Sequence, residues 1–326
     1  MTRLILLVLF STFALQGQAE THPGEDAFID KAVSEHGLDA EAVRALLGGA
    51  EFKQSIADAI ARPAEGKPWY DYRPIFITDQ RINEGVAFWR ENEALINQVA
   101  DKFGVDPQFI VAIIGVETFY GRITGNYRVL DSLATLSFHY PSDRTRDRSA
   151  FFSSELMNYL LLGPEEELPL DEVTGSYAGA MGMGQFMPSS YRAYAVDFDG
   201  DGRRDLWRSN PDAIASVANY LAEHGWEPEG PIARRTRAGE GADFSLLTAG
   251  YKPELTVMDL HEKGYRSAAD IDPGRKAALV SLEQEDRDEY WMVFHNFYVI
   301  TRYNRSKMYA MAVYQLSEAL REGMGA

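Results

Sequence analysis

A mainly α-helical fold of the α+β class, carrying one small antiparallel β subdomain, is the architecture this chain predicts. Three observations predict it. Apolar residues recur at helical spacing, in segments punctuated by glycine, from Asp26 to about His224. That periodicity is lost between Glu227 and Tyr290, where short runs rich in Val, Tyr and Phe take over. From Ser306 onward, Tyr309, Ala312, Val313, Leu316 and Leu320 restore an amphipathic helix.

Taken in order, residues 1–19 read as a secretory signal peptide. Arg3 precedes the apolar run from Leu4 to Phe10, and Gly17-Gln18-Ala19 supplies small residues before Glu20. The alternative is an uncleaved anchor, for which the apolar core is short. Cleavage after Ala19 removes Arg3 and no acid, taking the formal charge from -17 to -18. Residues 20–104 predict a helical lobe. Short helical pieces carry Phe28, Ile29, Ala32 and Val33, then Val43, Leu46 and Leu47, then Ile56, Ala59 and Ile60. Gly37 and Gly48-Gly49 separate them. One longer helix is expected over residues 82–103, stopped by Gly104.

Residues 105–226 predict the next unit. Asp106-Pro107 supplies an N-cap and first-turn pair, and Gly121 is placed to end that helix. Residues 130–138 and 150–162 read as further helices. Asn210-Pro211 opens another that runs to about His224. Within residues 227–298, the stretches 277–282 and 290–301 read as strands, and 255–260 as a possible helix start. Residues 299–326 return as helix.

The chain has 326 residues, is 45% hydrophobic and carries a formal charge of -17 with a pI near 4.8. Such an acidic balance argues against nucleic acid as a partner, which needs a basic face. It argues equally against adhesion to anionic membranes. There is no cysteine, which excludes a thiol nucleophile, a disulfide scaffold and a lipid-modified N-terminal Cys. No stable membrane anchor is expected once the signal is removed.

One acid stands out. In Phe109-Ile110-Val111-Ala112-Ile113-Ile114-Gly115-Val116-Glu117, the carboxylate continues the stripe of Ile110, Ile113 and Ile114. Burying a carboxylate is costly and raises its pKa, and an acid kept protonated near neutrality serves as a general acid. A buried Glu satisfied by an Arg or a helix end is the other reading. Asp131 and Asp143 are the candidates for a second carboxylate of the kind most glycosidases use.

Asp197, Asp199 and Asp201, with Gly202 at the sixth place, reproduce the first half of an EF-hand loop. The spacing calls for Ca²⁺, with the Arg203 carbonyl at the seventh place. Arg208 stands at the twelfth, where a bidentate Glu is expected, so Asp212 is the nearest acid to close the shell. Its other role is to stabilise a helix N-terminus. A single loop favours a structural clamp over a sensor.

Gly175 to Pro188 is rich in small residues but lacks the Lys-Ser/Thr of a phosphate loop, and no organic cofactor is expected. Either it is a tight turn or its backbone lets a polymer approach, with Ser176 and Gln185 as hydrogen-bonding groups. The six histidines are dispersed and form no zinc pattern. Arg144-Thr145-Arg146-Asp147-Arg148 is either a solvated loop or a rim contact for an anion.

Several blocks in order then resemble one family. They are Ile114-Gly115-Val116-Glu117-Thr118-Phe119-Tyr120-Gly121, Leu133 to Phe138 with Tyr140-Pro141, Gly175 to Gly182, Gly184 to Tyr191, Ser216 to Leu221, and Tyr303-Asn304-Arg305-Ser306. From about Pro68 to the C-terminus the chain resembles the SLT-type lytic murein transglycosylase B family. The resemblance implies a lysozyme-like helical core with the calcium loop at 197–212. It implies cleavage of the β-1,4 bond between N-acetylmuramic acid and N-acetylglucosamine in peptidoglycan, in the periplasm. It makes Glu117 the single catalytic acid and base, with the muramic C6 hydroxyl closing a 1,6-anhydro ring. It places Ser176, Gln185, Tyr220, Tyr303, Asn304 and Tyr309 in the sugar groove, though each Tyr can instead be core. It also makes Asp212 the distal calcium ligand. Phe151 stands where some relatives have Tyr. A muramidase that uses water, and a non-catalytic calcium-stabilised peptidoglycan-binding protein, are the alternatives.

Overall fold

The computed structural model describes residues 22–62, 66–141, 147–267 and 271–325. The signal segment, Asp143 and most of the 144–148 patch lie outside the described residues. The N-terminal third folds as α1 (Glu25–His36), α2 (Ala40–Gly48), α3 (Gln54–Ala61) and α4 (Trp69–Phe76). Its helix ends follow the local chemistry. Gly37 closes α1 in the left-handed region, and the Asp39 side chain caps α2 by accepting from the Ala42 N–H.

The helix expected over 82–103 is two: α5 (Asp79–Glu91) and α6 (Glu93–Phe103). Asn92 breaks it. Its Nδ2 and its backbone N–H both donate to the Phe88 carbonyl, at 2.9 and 3.1 Å. An Asn that takes a carbonyl from the preceding turn ends the helix there.

Next come α7 (Pro107–Thr118), β1 (Tyr127–Arg128), α8 (Val129–Phe138), α9 (Ser149–Glu166), β2 (Thr174–Gly175), α10 (Pro188–Tyr194) and α11 (Asn210–Glu223). In α7, Ile110, Val111, Ala112, Ile113 and Ile114 are all 0% exposed. Each of the Ile and Val side chains contributes about 1.5–3 kcal/mol of burial, so α7 is the axis of the core. Helices α5, α6 and α11 surround it, and the C-terminal α14 (Lys307–Met324) packs along it and reaches α4.

The β subdomain holds β3 (Ala233–Ala238), β4 (Leu255–Thr256), α12 (Val257–Glu262), β5 (Tyr265–Ser267), β6 (Lys276–Glu283) and β7 (Asp288–Val293). Its five strands are antiparallel in the order β4-β6-β7-β3-β5. Both faces are covered. Val280, Leu282 and Val293 join the helical core, while Leu279 and Met292 join a second cluster with Val257, Leu260 and Tyr265. The strand expected over 290–301 stops at Val293. Phe294 leaves the sheet and α13 (His295–Tyr303) begins. Its apolar residues Phe297, Val299 and Ile300 are buried at helical spacing, a pattern that a Val- and Tyr-rich composition conceals.

Candidate active site

Glu117 is the penultimate residue of α7. The apolar stripe delivers it to the edge of the core and not into it: the residue is half-buried, whereas Ile110, Ile113 and Ile114 are fully enclosed. The expected burial of the acid itself is corrected accordingly. The helix ends three residues before Gly121, because Phe119 and Tyr120 already adopt φ of 53° and 61°. Left-handed backbone at non-glycine residues costs on the order of 1–3 kcal/mol each and persists only when the surroundings enforce it.

The enforcing contacts are visible. The Thr118 hydroxyl donates to the Met183 carbonyl at 2.8 Å and accepts from the Gly121 N–H at 3.0 Å. The Tyr120 hydroxyl donates to the Arg81 carbonyl at 2.9 Å. Its ring fills a notch made by two glycines. A Cβ on Gly85 would lie 2.1 Å from the Tyr120 oxygen, and one on Gly115 would lie 2.7 Å from the ring. We therefore expect Gly85→Ala to destabilise the fold by roughly 2–3 kcal/mol through overpacking, read by chemical denaturation. A loss below about 0.5 kcal/mol would show that the notch does not hold the turn.

Opposite the acid stands α14. The Tyr309 hydroxyl donates to Glu117 Oε1 at 2.6 Å, and Tyr309 is 3% exposed. Burial, and then the neighbouring Glu117 charge, push the Tyr309 phenol well above its ordinary range, so it stays a donor. Tyr303 stacks on Tyr309 at 6.5 Å, and Tyr220 lies 4.6 Å from Tyr303. The Tyr303 hydroxyl donates to the Gly184 carbonyl at 2.5 Å, and that of Tyr220 to the Arg302 carbonyl at 2.6 Å. These two hydroxyls tie α13 to the small-residue loop and to α11. Their rings, more than their oxygens, shape the site.

That loop folds on itself. Gly175 bridges Met181, and Met181 bridges Phe186. Ser176 Oγ accepts from the Ala180 N–H at 3.0 Å. Gln185, at φ 51°, donates from Nε2 to the carbonyls of Thr124 and Gly182, both at 3.0 Å. It thereby fastens the segment after Glu117 to the loop. Asn304, half-buried, follows Tyr303 at the end of α13. The structure thus brings Glu117 to Tyr309, and Tyr309 to Tyr303 and Tyr220. Ser176 and Gln185 meet this group through the loop backbone.

The other acid proposed for the chemistry is structural. Asp131 pairs with Arg128 at 2.5 Å and accepts from the Glu51 N–H at 2.8 Å. It pins the segment between α2 and α3 onto α8. Phe151 is 40% exposed, with the Arg148 guanidinium 4.7 Å over its ring. Thr118, Tyr120 and Gly85 escaped the sequence reading. The signal for the first two was the Thr-Phe-Tyr-Gly run directly after the acid; a glycine inside an otherwise helical segment marked the third.

Asp197, Asp199 and Asp212 each present an oxygen within 4.8 Å of the others. Burial, and to a lesser extent the Asp199 charge, raises the Asp212 carboxyl. Three hard oxygen donors converging this closely fit Ca²⁺ or a similar hard cation, whose charge offsets their repulsion. Gly200 and Gly202, at φ 78° and 90°, make the bends. Asp201 stands outside this cluster, its Oδ1 accepting from the Arg203 N–H at 2.9 Å. Asp212 also accepts from the N–H groups of Phe198 and Asp205, both at 2.8 Å, closing the loop from α11.

A helical core with an acid at the end of its central helix, a small antiparallel sheet and an acidic metal-type loop together give a lysozyme-like architecture. Comparison with known proteins makes this specific. The chain belongs to the transglycosylase SLT domain family, whose model matches residues 20–318. It is 40% identical over 314 residues to membrane-bound lytic murein transglycosylase B of Escherichia coli K12, covering 93% of this chain and 84% of that protein. The crystal structure of soluble lytic transglycosylase SltB1 from Pseudomonas aeruginosa superposes with a TM-score of 0.85 at 44% identity, over 93% of this chain and 100% of that one. The Escherichia coli lytic transglycosylase Slt35 in complex with calcium gives 0.82 at 40% identity, over 94% and 95% of the two chains.

Proposed function

We propose that this protein is a lytic transglycosylase that cuts the β-1,4 bond between N-acetylmuramic acid and N-acetylglucosamine in peptidoglycan. The observation that carries this reading is the Tyr309 hydroxyl bound to Glu117 Oε1 at 2.6 Å, which fixes an acid at the core edge beside an aromatic wall. Membership of the transglycosylase family supports it.

In the first step, protonated Glu117 gives its proton to the glycosidic oxygen as the bond to muramic C1 breaks. The carboxylate then takes the proton of the C6 hydroxyl, whose oxygen bonds C1 and closes the 1,6-anhydro ring. The proton returns to Glu117 and no water is consumed. An internal hydroxyl, with N-acetyl participation, replaces the second carboxylate of ordinary glycosidases, in keeping with Asp131 being tied to Arg128. Tyr303, half-buried, offers its ring to the sugars, while Tyr220 is buried behind it and stacked on His224 at 4.2 Å, the core role a Tyr can also take. Ser176, Gln185 and Asn304 line the approach and order the loop around it.

In this reading calcium is a structural ion held by Asp197, Asp199 and Asp212, with Asp201 and the Arg203 carbonyl completing the shell. Secretion through residues 1–19 delivers the chain to the periplasm. Mass spectrometry of digested sacculi tests the function. Anhydromuramic ends are expected; reducing ends would replace this reading with a hydrolase, and undigested but bound sacculi with a binding protein.

A further inference from the structure

A cavity of about 370 Å³ lies between the end of α9 with the segment that follows it and residues 203–208. That volume is at the lower end of small-ligand sites, which run from about 300 to 1,000 Å³. Most of its charges cancel internally. Arg204 pairs with Glu166 and lies 5.7 Å over the Tyr191 ring, and Arg203 pairs with Glu167. Two charges remain. Arg208 comes from one segment and Glu172 from the other, and among the described residues neither side chain has an ion-pair or hydrogen-bond partner. Between them lie the apolar surfaces of Pro169, Val173 and Trp207.

The cavity adjoins the groove. The Trp207 indole N–H donates to the Thr174 carbonyl at 3.2 Å. Thr174 lines the cavity, and Ser176 of the groove loop is two residues on, at most about 7 Å along the chain. An unpaired cation and an unpaired anion over an apolar floor suit a zwitterion. A bare anion would also meet the repulsion of a chain with net charge -17, and a bare cation would have no use for Arg208.

We propose that this cavity is a peptide subsite for the stem peptide that a peptidoglycan strand carries on its muramic acid. A peptide carboxylate sits on Arg208, an ammonium group on Glu172, and the aliphatic part between them on Trp207. Five extended residues reach about 17 Å, enough to span from a sugar in the groove. The assignment rests on the function proposed above and adds a determinant of substrate choice to it.

The test compares peptide-bearing glycan strands with strands stripped of peptide. Arg208→Glu should lower kcat/KM about tenfold on the peptide-bearing strands, the scale of one charge-assisted hydrogen bond, and leave stripped strands unaffected. Adding Glu172→Lys should deepen the loss on peptide-bearing strands, because both ends of the tethered zwitterion then meet like charge. An equal loss on both substrates, or none on either, overturns the subsite. Failure of the wild type to cleave either substrate would count against the proposed function instead. The Trp207 indole resonance then decides the subsite alone: a shift on titration with free pentapeptide supports it, and an unmoved resonance overturns it.

Discussion

Glu117→Gln is expected to reduce cleavage of peptidoglycan by about 10⁴-fold, the upper end of general acid–base effects. The upper end applies because in the proposed mechanism one carboxylate serves both steps: it donates the proton that releases the leaving sugar and removes the proton of the closing hydroxyl. Glutamine can do neither. It keeps the shape, and its carbonyl oxygen can still accept the Tyr309 hydroxyl bond now made at 2.6 Å. Folding and sugar binding should therefore survive, with the affinity for glycan fragments within about twofold, less than 0.5 kcal/mol. Calorimetric titration of fragments beside turnover on sacculi separates the two effects. Undiminished turnover would remove Glu117 from the chemistry, and lost binding would show that the charge itself holds the substrate.

Calcium is expected to raise the melting temperature, and chelation to lower it. An ion that binds only the folded chain stabilises it by about 2.7 kcal/mol at a free concentration one hundred times its dissociation constant. For a protein of this size that corresponds to a rise of roughly 5 °C. Asp197→Ala should abolish the rise, because its two oxygens also accept from the N–H groups of Gly200 and Gly202, at 2.7 and 2.9 Å. Asp201→Ala should reduce it less, since Asp201 stands apart from the three converging oxygens. Superimposable melting curves with calcium and with chelator would exclude the ion as a clamp.

Glu155 shows why burial of an acid alone cannot assign a role. At 3% exposure it is more deeply buried than Glu117. Yet its carboxylate accepts from the N–H and the hydroxyl of Ser189, at 2.9 and 2.7 Å, at the start of α10. Burial pushes its carboxyl up, with the Ser189 bonds acting against the rise. It secures α10 to α9 and never faces the groove loop's Ser176 or Gln185 contacts. Glu117 differs in its surroundings: a helix that ends in a strained turn, a tyrosine hydroxyl on one oxygen, and aromatic rings beyond it.

The sequence by itself determined the features that depend on neighbours along the chain. The apolar period of α7, its start at Pro107, and the alternating acids at Asp197, Asp199 and Asp201 are local patterns, whereas the Asp106 side chain expected to cap α7 instead accepts from the Trp226 indole at 2.7 Å. Local sterics and hydrogen bonding write them directly into residue order. It also marked the β subdomain, although α13 passed for a strand because Val and Tyr serve a buried helix as well as a sheet. Only the tertiary structure decided what each acid touches. Tyr309 reaches Glu117 across 192 residues, Tyr303 reaches Gly184 across 119, and Asp131 meets the Glu51 N–H across 80. Contacts at such separations arise from core packing around α7, which fixes side chains in space without leaving any period in the sequence.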